Sequence, residues 1–195
     1  EAALMRSLAG FAAALVSGMM LAIFPAALPA IDVTEDDSLL RIKGDYLGYS
    51  FDLNRVIGDG VMFRFLEYDV SCQTLKADIA SRTFLGLGGV TLRKGGETLR
   101  FDALLFEPGL TTAAAFRFGQ TKEVLAFPGG EALPETEARK ARDRAATLED
   151  LTVTRIRESL ISSTAKEIEI TPAYEVIGRD VVMYVEGFES VGFAR

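Results

Sequence analysis

The sequence predicts a mainly β protein of antiparallel hairpins with one helical insertion near residues 135–165. Three observations predict it. Apolar residues recur at period two through residues 31–130, and a glycine–valine unit repeats along the chain. Turn-forming residues separate the apolar runs every ~8–12 positions, the spacing of short antiparallel strands. The charged, alanine-rich stretch after Pro134 breaks the alternation and marks the insertion.

The chain starts with a different kind of segment. From Met5 it reads "MRSLAGFAAALVSGMMLAIFPAALPAIDV". Arg6 supplies a charged start, Leu8 to Phe24 an uncharged apolar run, and Pro25, Pro29 and the alanines around them a small-residue end. This is the three-part layout of a secretory signal. Residues 1–30 are expected to be a signal peptide cleaved near Ala30, or else a retained N-terminal anchor, since the run is nearly long enough to span a bilayer. In either case the remainder is exported.

The strands follow in order. Leu40 and Ile42 share a face, then Tyr49, Phe51 and Leu53 alternate. Val61, Phe63 and Phe65 continue the rule, as do Val90 and Leu92. Leu99, Phe101, Ala103 and Leu105 form the next run, and Phe116 and Phe118 the last. One face is thus rich in phenylalanine and the other in Arg, Lys, Asp and Thr. Gly129, Gly130 and Pro134 end the sheet region. Residues 131–165 form the helical insertion: Glu135 to Ala146 suits a solvated helix, and Thr147-x-x-Asp150 resembles a capping box for a second. Leu148, Leu151, Ile156 and Leu160 give that helix an apolar stripe, and the polar "ISSTAK" lies at its end. Residues 166–195 return to β alternation through Ile168, Ile170, Val181, Met183 and Val185.

Composition excludes several functions. Net charge is −7 and the sequence pI about 4.8, against nucleic acid as the main partner. The chain has no histidine, which removes His-based triads and His-ligated metals. Cys72 is the only cysteine, so no internal disulfide forms. Gly86-Leu87-Gly88-Gly89 lacks the third glycine of a dinucleotide fingerprint, and a strand-like run follows where a helix is needed. The acidic "TEDDS" at 34–38 has no EF-hand frame. No catalytic residue, metal ligand or cofactor is assigned, and the chain is not expected to be an enzyme.

The repeat carries the positive signal. "RVIGDGVMF" at 55–63 aligns with "FLGLGGVTL" at 84–92, and "YEVIGRDVVMY" at 174–184 echoes the first. "LKAD" at 75–78 aligns with "LRFD" at 99–102. Over residues 40–108 this unit resembles the repeat of the OstA-like (organic solvent tolerance) family of periplasmic lipopolysaccharide-transport proteins. Gly58, Gly60 and Val61 match its first part, Leu75, Ala77 and Asp78 its second, and Gly88, Val90, Leu99 and Asp102 the next turns of the pattern. The resemblance implies a β-jellyroll in the periplasm that shields acyl chains of lipopolysaccharide, or another envelope lipid, and assembles edge-to-edge with other jellyroll transport proteins. On that reading Phe51, Phe63, Phe65, Val90, Leu92, Phe101 and Leu105 line the lipid groove. The charged helical stretch departs from the family's nearly all-β form. The apolar face also reads as an ordinary core between sheets, and then the chain is a structural or assembly module of the envelope whose helical stretch docks a partner.

Overall fold

The computed structural model describes residues 39–119 and 122–193; the expected signal or anchor lies outside them. Seven strands come first: β1 Leu40–Ser50, β2 Arg55–Phe65, β3 Tyr68–Asp78, β4 Thr83–Lys94, β5 Glu97–Phe106, β6 Ala113–Arg117 and β7 Glu123–Phe127. Helices α1 (Glu135–Ala146) and α2 (Val153–Arg157) follow, then β8 Ile161–Ile170, β9 Val176–Arg179, β10 Val181–Val185 and β11 Phe188–Phe193. All strands join one antiparallel sheet in the order β11-β10-β8-β1-β2-β3-β4-β5-β6-β7, with β9 on the other half of β8. The fold is mainly β and antiparallel, as the alternation predicts, and jellyroll-like, as the resemblance implies.

The sheet is rolled. At ~4.8 Å per strand, β2 and β5 in a flat sheet stand about 14 Å apart, and β2 and β7 about 24 Å. Yet the rings of Phe63 and Phe106 stack at 5.1 Å, and those of Phe65 and Phe127 approach to 6.4 Å. The concave face has closed on itself. Its far end is tied by the Tyr174 hydroxyl, which donates to the Pro108 carbonyl at 2.6 Å, and by Arg82 stacked 4.4 Å over the Tyr174 ring.

Rolling needs a bend in each strand, and the repeated glycine–valine unit supplies it. Across one level of the sheet the inward-facing set steps by an odd number of residues, Ile42 to Leu47, Val56 to Val61, Cys72 to Leu75 and Phe101 to Leu104. An odd step moves later side chains to the opposite face, and the bulge that makes it bends the strand. The ladders are interrupted there, between Ser71 and Thr74 and between Leu87 and Val90. On β4, Gly88 and Gly89 both hold φ of 78° at this level, backbone that glycine adopts without steric cost. Close packing fixes the rest of the unit. A Cβ on Gly58 would lie 2.7 Å from both Val61 Cγ2 and Leu47 Cδ2, and one on Gly178 would lie 2.6 Å from Val181 Cγ2. In the copies at 55–63 and 174–184 the unit is therefore a glycine three residues before a valine that fills its missing side chain, whereas in the 84–92 copy that position is Leu87 and Gly88-Gly89 make the bend.

Five expectations are corrected. The Tyr49–Phe51–Leu53 alternation ends at Ser50, whose hydroxyl accepts from the Leu53 amide at 3.1 Å and turns the chain over residues 51–54. The run through 99–105 does not keep one face: Leu99 and Phe101 point into the concave core, whereas Ala103 and Leu105 point outward because of the bulge. The helical insertion ends at Arg157, not 165, and leaves Leu160 exposed. "ISSTAK" belongs to β8 and pairs with β1, with Ser162 and Ser163 buried. The cap of α2 is Thr152, whose hydroxyl accepts from the Arg155 amide at 3.1 Å, while Thr147 closes α1 by donating to the Arg144 carbonyl at 2.7 Å.

Candidate functional site

The residues assigned to a groove separate into three places. Phe63, Phe65, Val90, Leu92 and Phe101 share the concave core, where none is more than 8% exposed. There the rings fill the space against one another: Phe106 touches Phe63, Phe65 and Phe84, and Phe127 touches Phe65, Tyr68 and Phe101. Leu105 lies on the convex face beneath α1. Phe51 sits 47% exposed on the β1–β2 turn, edge-on to Tyr49 at 4.7 Å.

The convex face carries a second apolar cluster. Leu85, Ala103, Leu105, Ala114, Phe116 and Val124 point outward from β4–β7, and Ala138, Ala141 and Leu148 cover them. The apolar contacts of α1 with the sheet come from short side chains, with Arg144 donating to Thr83 Oγ1 at 3.0 Å at one end, so the helix does not cover the whole apolar face. Beside it a cleft of about 480 Å³ opens, within the ~300–1,000 Å³ of small-molecule sites. Its floor is Leu85, Leu87, Ala103, Phe116 and Val124, with Ala145 and Ala146 of α1 as a wall. Phe118, 58% exposed, forms one lip, with its ring 6.1 Å from that of Phe116 and its amide donating to Asp102 Oδ2 at 2.6 Å.

The rim is charged. Lys76, Lys122 and Arg142 face Asp143 and Glu149 across the opening. Lys76 Nζ donates to the Glu149 carbonyl at 2.9 Å; burial lowers its pKa, and the Asp150 and Glu149 carboxylates oppose that shift. Arg142 holds Glu135 at 2.9 Å. The cleft therefore combines an apolar floor with a rim of three cations and two carboxylates.

Other polar groups are buried within the sheet. Glu169, 3% exposed, meets Arg179 Nη2 at 2.8 Å and Arg41 Nη2 at 3.1 Å, a bridge across β9, β8 and β1. Burial pushes the Cys72 thiol up to about 11, far from the thiolate a nucleophile needs. Among the described residues no three His, Cys, Asp or Glu side chains are grouped to hold a metal ion.

At the sheet edges, β7 is hydrogen-bonded by the returning chain, with the Leu133 amide donating to the Val124 carbonyl and the Ala126 amide to the Glu131 carbonyl. β11 ends the other side of the order. The convex floor escaped the reading of single alternating faces, although "TFLGL", "DALLF" and "EVLAF" hold a signal for it. Such unbroken apolar runs are strands covered on both faces. No protein-family model matches this chain, and no curated protein matches it.

Proposed function

We propose that this chain is an exported lipid-handling module of the lipopolysaccharide-transport type, and that it takes an acyl chain in the convex cleft beside α1. One observation carries the reading: an open apolar floor, from Leu85 to Val124, bordered by Lys76, Lys122 and Arg142. Each methylene removed from water contributes about 0.8 kcal/mol, so a chain along this floor binds without any catalytic group. The narrow cover favours entry, because the buried residues of α1 itself are only Ala138 and Ala141. Edge-to-edge assembly with a similar domain falls to β11, since the chain itself occupies part of the β7 edge.

A photo-reactive amino acid at Leu87 or Phe118 is expected to crosslink to lipopolysaccharide, whereas one at Phe63 is not. Crosslinks at Phe63 or Phe101 instead would move the lipid into the concave interior, through an opening of the roll. No crosslink at any of the four would sink the lipid reading. The filled concave core then supports the second reading, an envelope assembly module in which the α1 surface receives a protein partner.

A further inference from the structure

A second cleft lies elsewhere on the convex face, and it suits different chemistry. It measures about 520 Å³ and forms where α2 meets β1, β8 and β10. Tyr46 and Tyr184 supply its rings, Asp45 and Asp180 its carboxylates, and Arg157 and Lys166 its cations. Among the described residues these four charged groups form no ion pair with one another, and their formal charges cancel. Carboxylates only accept hydrogen bonds and the two cations only donate. A ligand that meets both kinds, without net charge of its own, must carry groups that donate and accept together, and the hydroxyls of a sugar do so.

Tyr46 gives the independent observation. Its hydroxyl is buried, and no acceptor takes its proton. It rests over Gly48, where a Cβ would come within 2.6 Å of it. The Arg157 guanidinium lies beside the phenol, its carbon 5.6 Å from the ring centre, and is placed to donate to the phenol oxygen; a guanidinium cannot accept, so the O–H proton is left over. Burial raises its pKa, so the proton is retained for donation. Buried polar groups are nearly always bonded, so each exception calls for a partner. The rings add apolar faces for the C–H side of a pyranose.

We propose that this cleft binds a neutral oligosaccharide, with the Tyr46 hydroxyl bonding one sugar hydroxyl once the exposed Arg157 side chain swings off it. The reading does not depend on the acyl cleft, because the lining residues of the two are entirely different. The test is titration of the full chain with maltotriose, chitotriose and mannotriose, followed through the backbone amide resonances of Thr164 and Gly187. At least one sugar is expected to shift both resonances saturably. Tyr46→Phe is expected to weaken that binding about three- to tenfold, the worth of one neutral hydrogen bond. The variant should melt no lower than the parent, since the O–H proton has no acceptor to lose and the exposed Arg157 returns to water. Shifts from none of the sugars, unchanged affinity in Tyr46→Phe, or a lower melting temperature for the variant would each overturn the assignment. So would binding of glucose 6-phosphate where all neutral sugars fail. Maltotriose against octyl maltoside separates two sources that both support the site: equal affinity assigns a free glycan, and tighter binding of the glycoside assigns a glycolipid headgroup.

Discussion

Gly58→Ala tests the crease that rolls the sheet. The added methyl would stand 2.7 Å from Val61 Cγ2 and 2.7 Å from Leu47 Cδ2, closer than carbon atoms pack. Val61 and Leu47 are both fully buried, so neither can swing into solvent. Overpacking of this kind costs about 1–3 kcal/mol. For a chain of this size each kcal/mol lowers Tm by about 2–4 °C, which gives a drop of about 2–12 °C by circular dichroism. Two comparisons isolate the cause. At Gly119 no atom lies within 4 Å of a built Cβ, so Gly119→Ala should be neutral or slightly stabilising. Val61→Ala vacates the space that the new methyl needs. The double variant Gly58→Ala, Val61→Ala should therefore lose less stability than the sum of the two single changes, with a coupling of about 0.5–3 kcal/mol. A neutral Gly58→Ala, or strict additivity in the cycle, would refute the claim that the repeat encodes a glycine filled by its valine.

Two further outcomes follow from the buried polar groups. Glu169→Gln leaves Arg41 and Arg179 facing an uncharged amide at a 3% exposed position, and should cost about 3 kcal/mol in urea unfolding. A loss near zero would mean that the three-strand bridge is solvated in solution. For Cys72, the folded thiol holds its proton up to about 11 while the unfolded one loses it near 9. Its contribution is complete below pH 9 and disappears as pH rises through 11, amounting to about 3 kcal/mol. Urea midpoints at pH 8.5 and 10.5 should fall more steeply for the parent than for Cys72→Ala; equal slopes would contradict the shift.

The elements were legible where one physical rule acted alone. Period-two runs located β2, β4 and β5 because one face of each meets the concave core. Helix α1 was legible because alanine and charge favour a helix whatever it packs on. Faces failed at the crease: alternation assumes an unbroken ladder, and the odd step between Phe101 and Leu104 moves Leu105 to the other side. The end of the insertion failed because Leu148, Leu151, Ile156 and Leu160 look like one stripe, although the first three are buried and Leu160 is 55% exposed. Tertiary pairing of β8 with β1 decides that boundary, and no local pattern reports it. Of the residues that define the convex cleft, Phe116 and Phe118 stood out by alternation, but their face is fixed only once the sheet has rolled.

The same roll decides where a ligand can act. A sheet that brings Phe63 onto Phe106 and Phe65 onto Phe127 spends its aromatic face on its own core. Apolar surface remains available only where the outer cover is narrower than the strands beneath it. Over β4–β7 the helical part of that cover is α1, whose buried residues are Ala138 and Ala141. Leucines at those positions would stand the helix farther off the sheet and reach sideways over Leu85 and Val124. Alanines let the backbone approach closely but cover little beyond the helix axis, which leaves Phe118 at the surface and the floor beside it open. The phenylalanine alternation thus builds the scaffold, and the alanine spacing of α1 leaves the opening in which a lipid can be held.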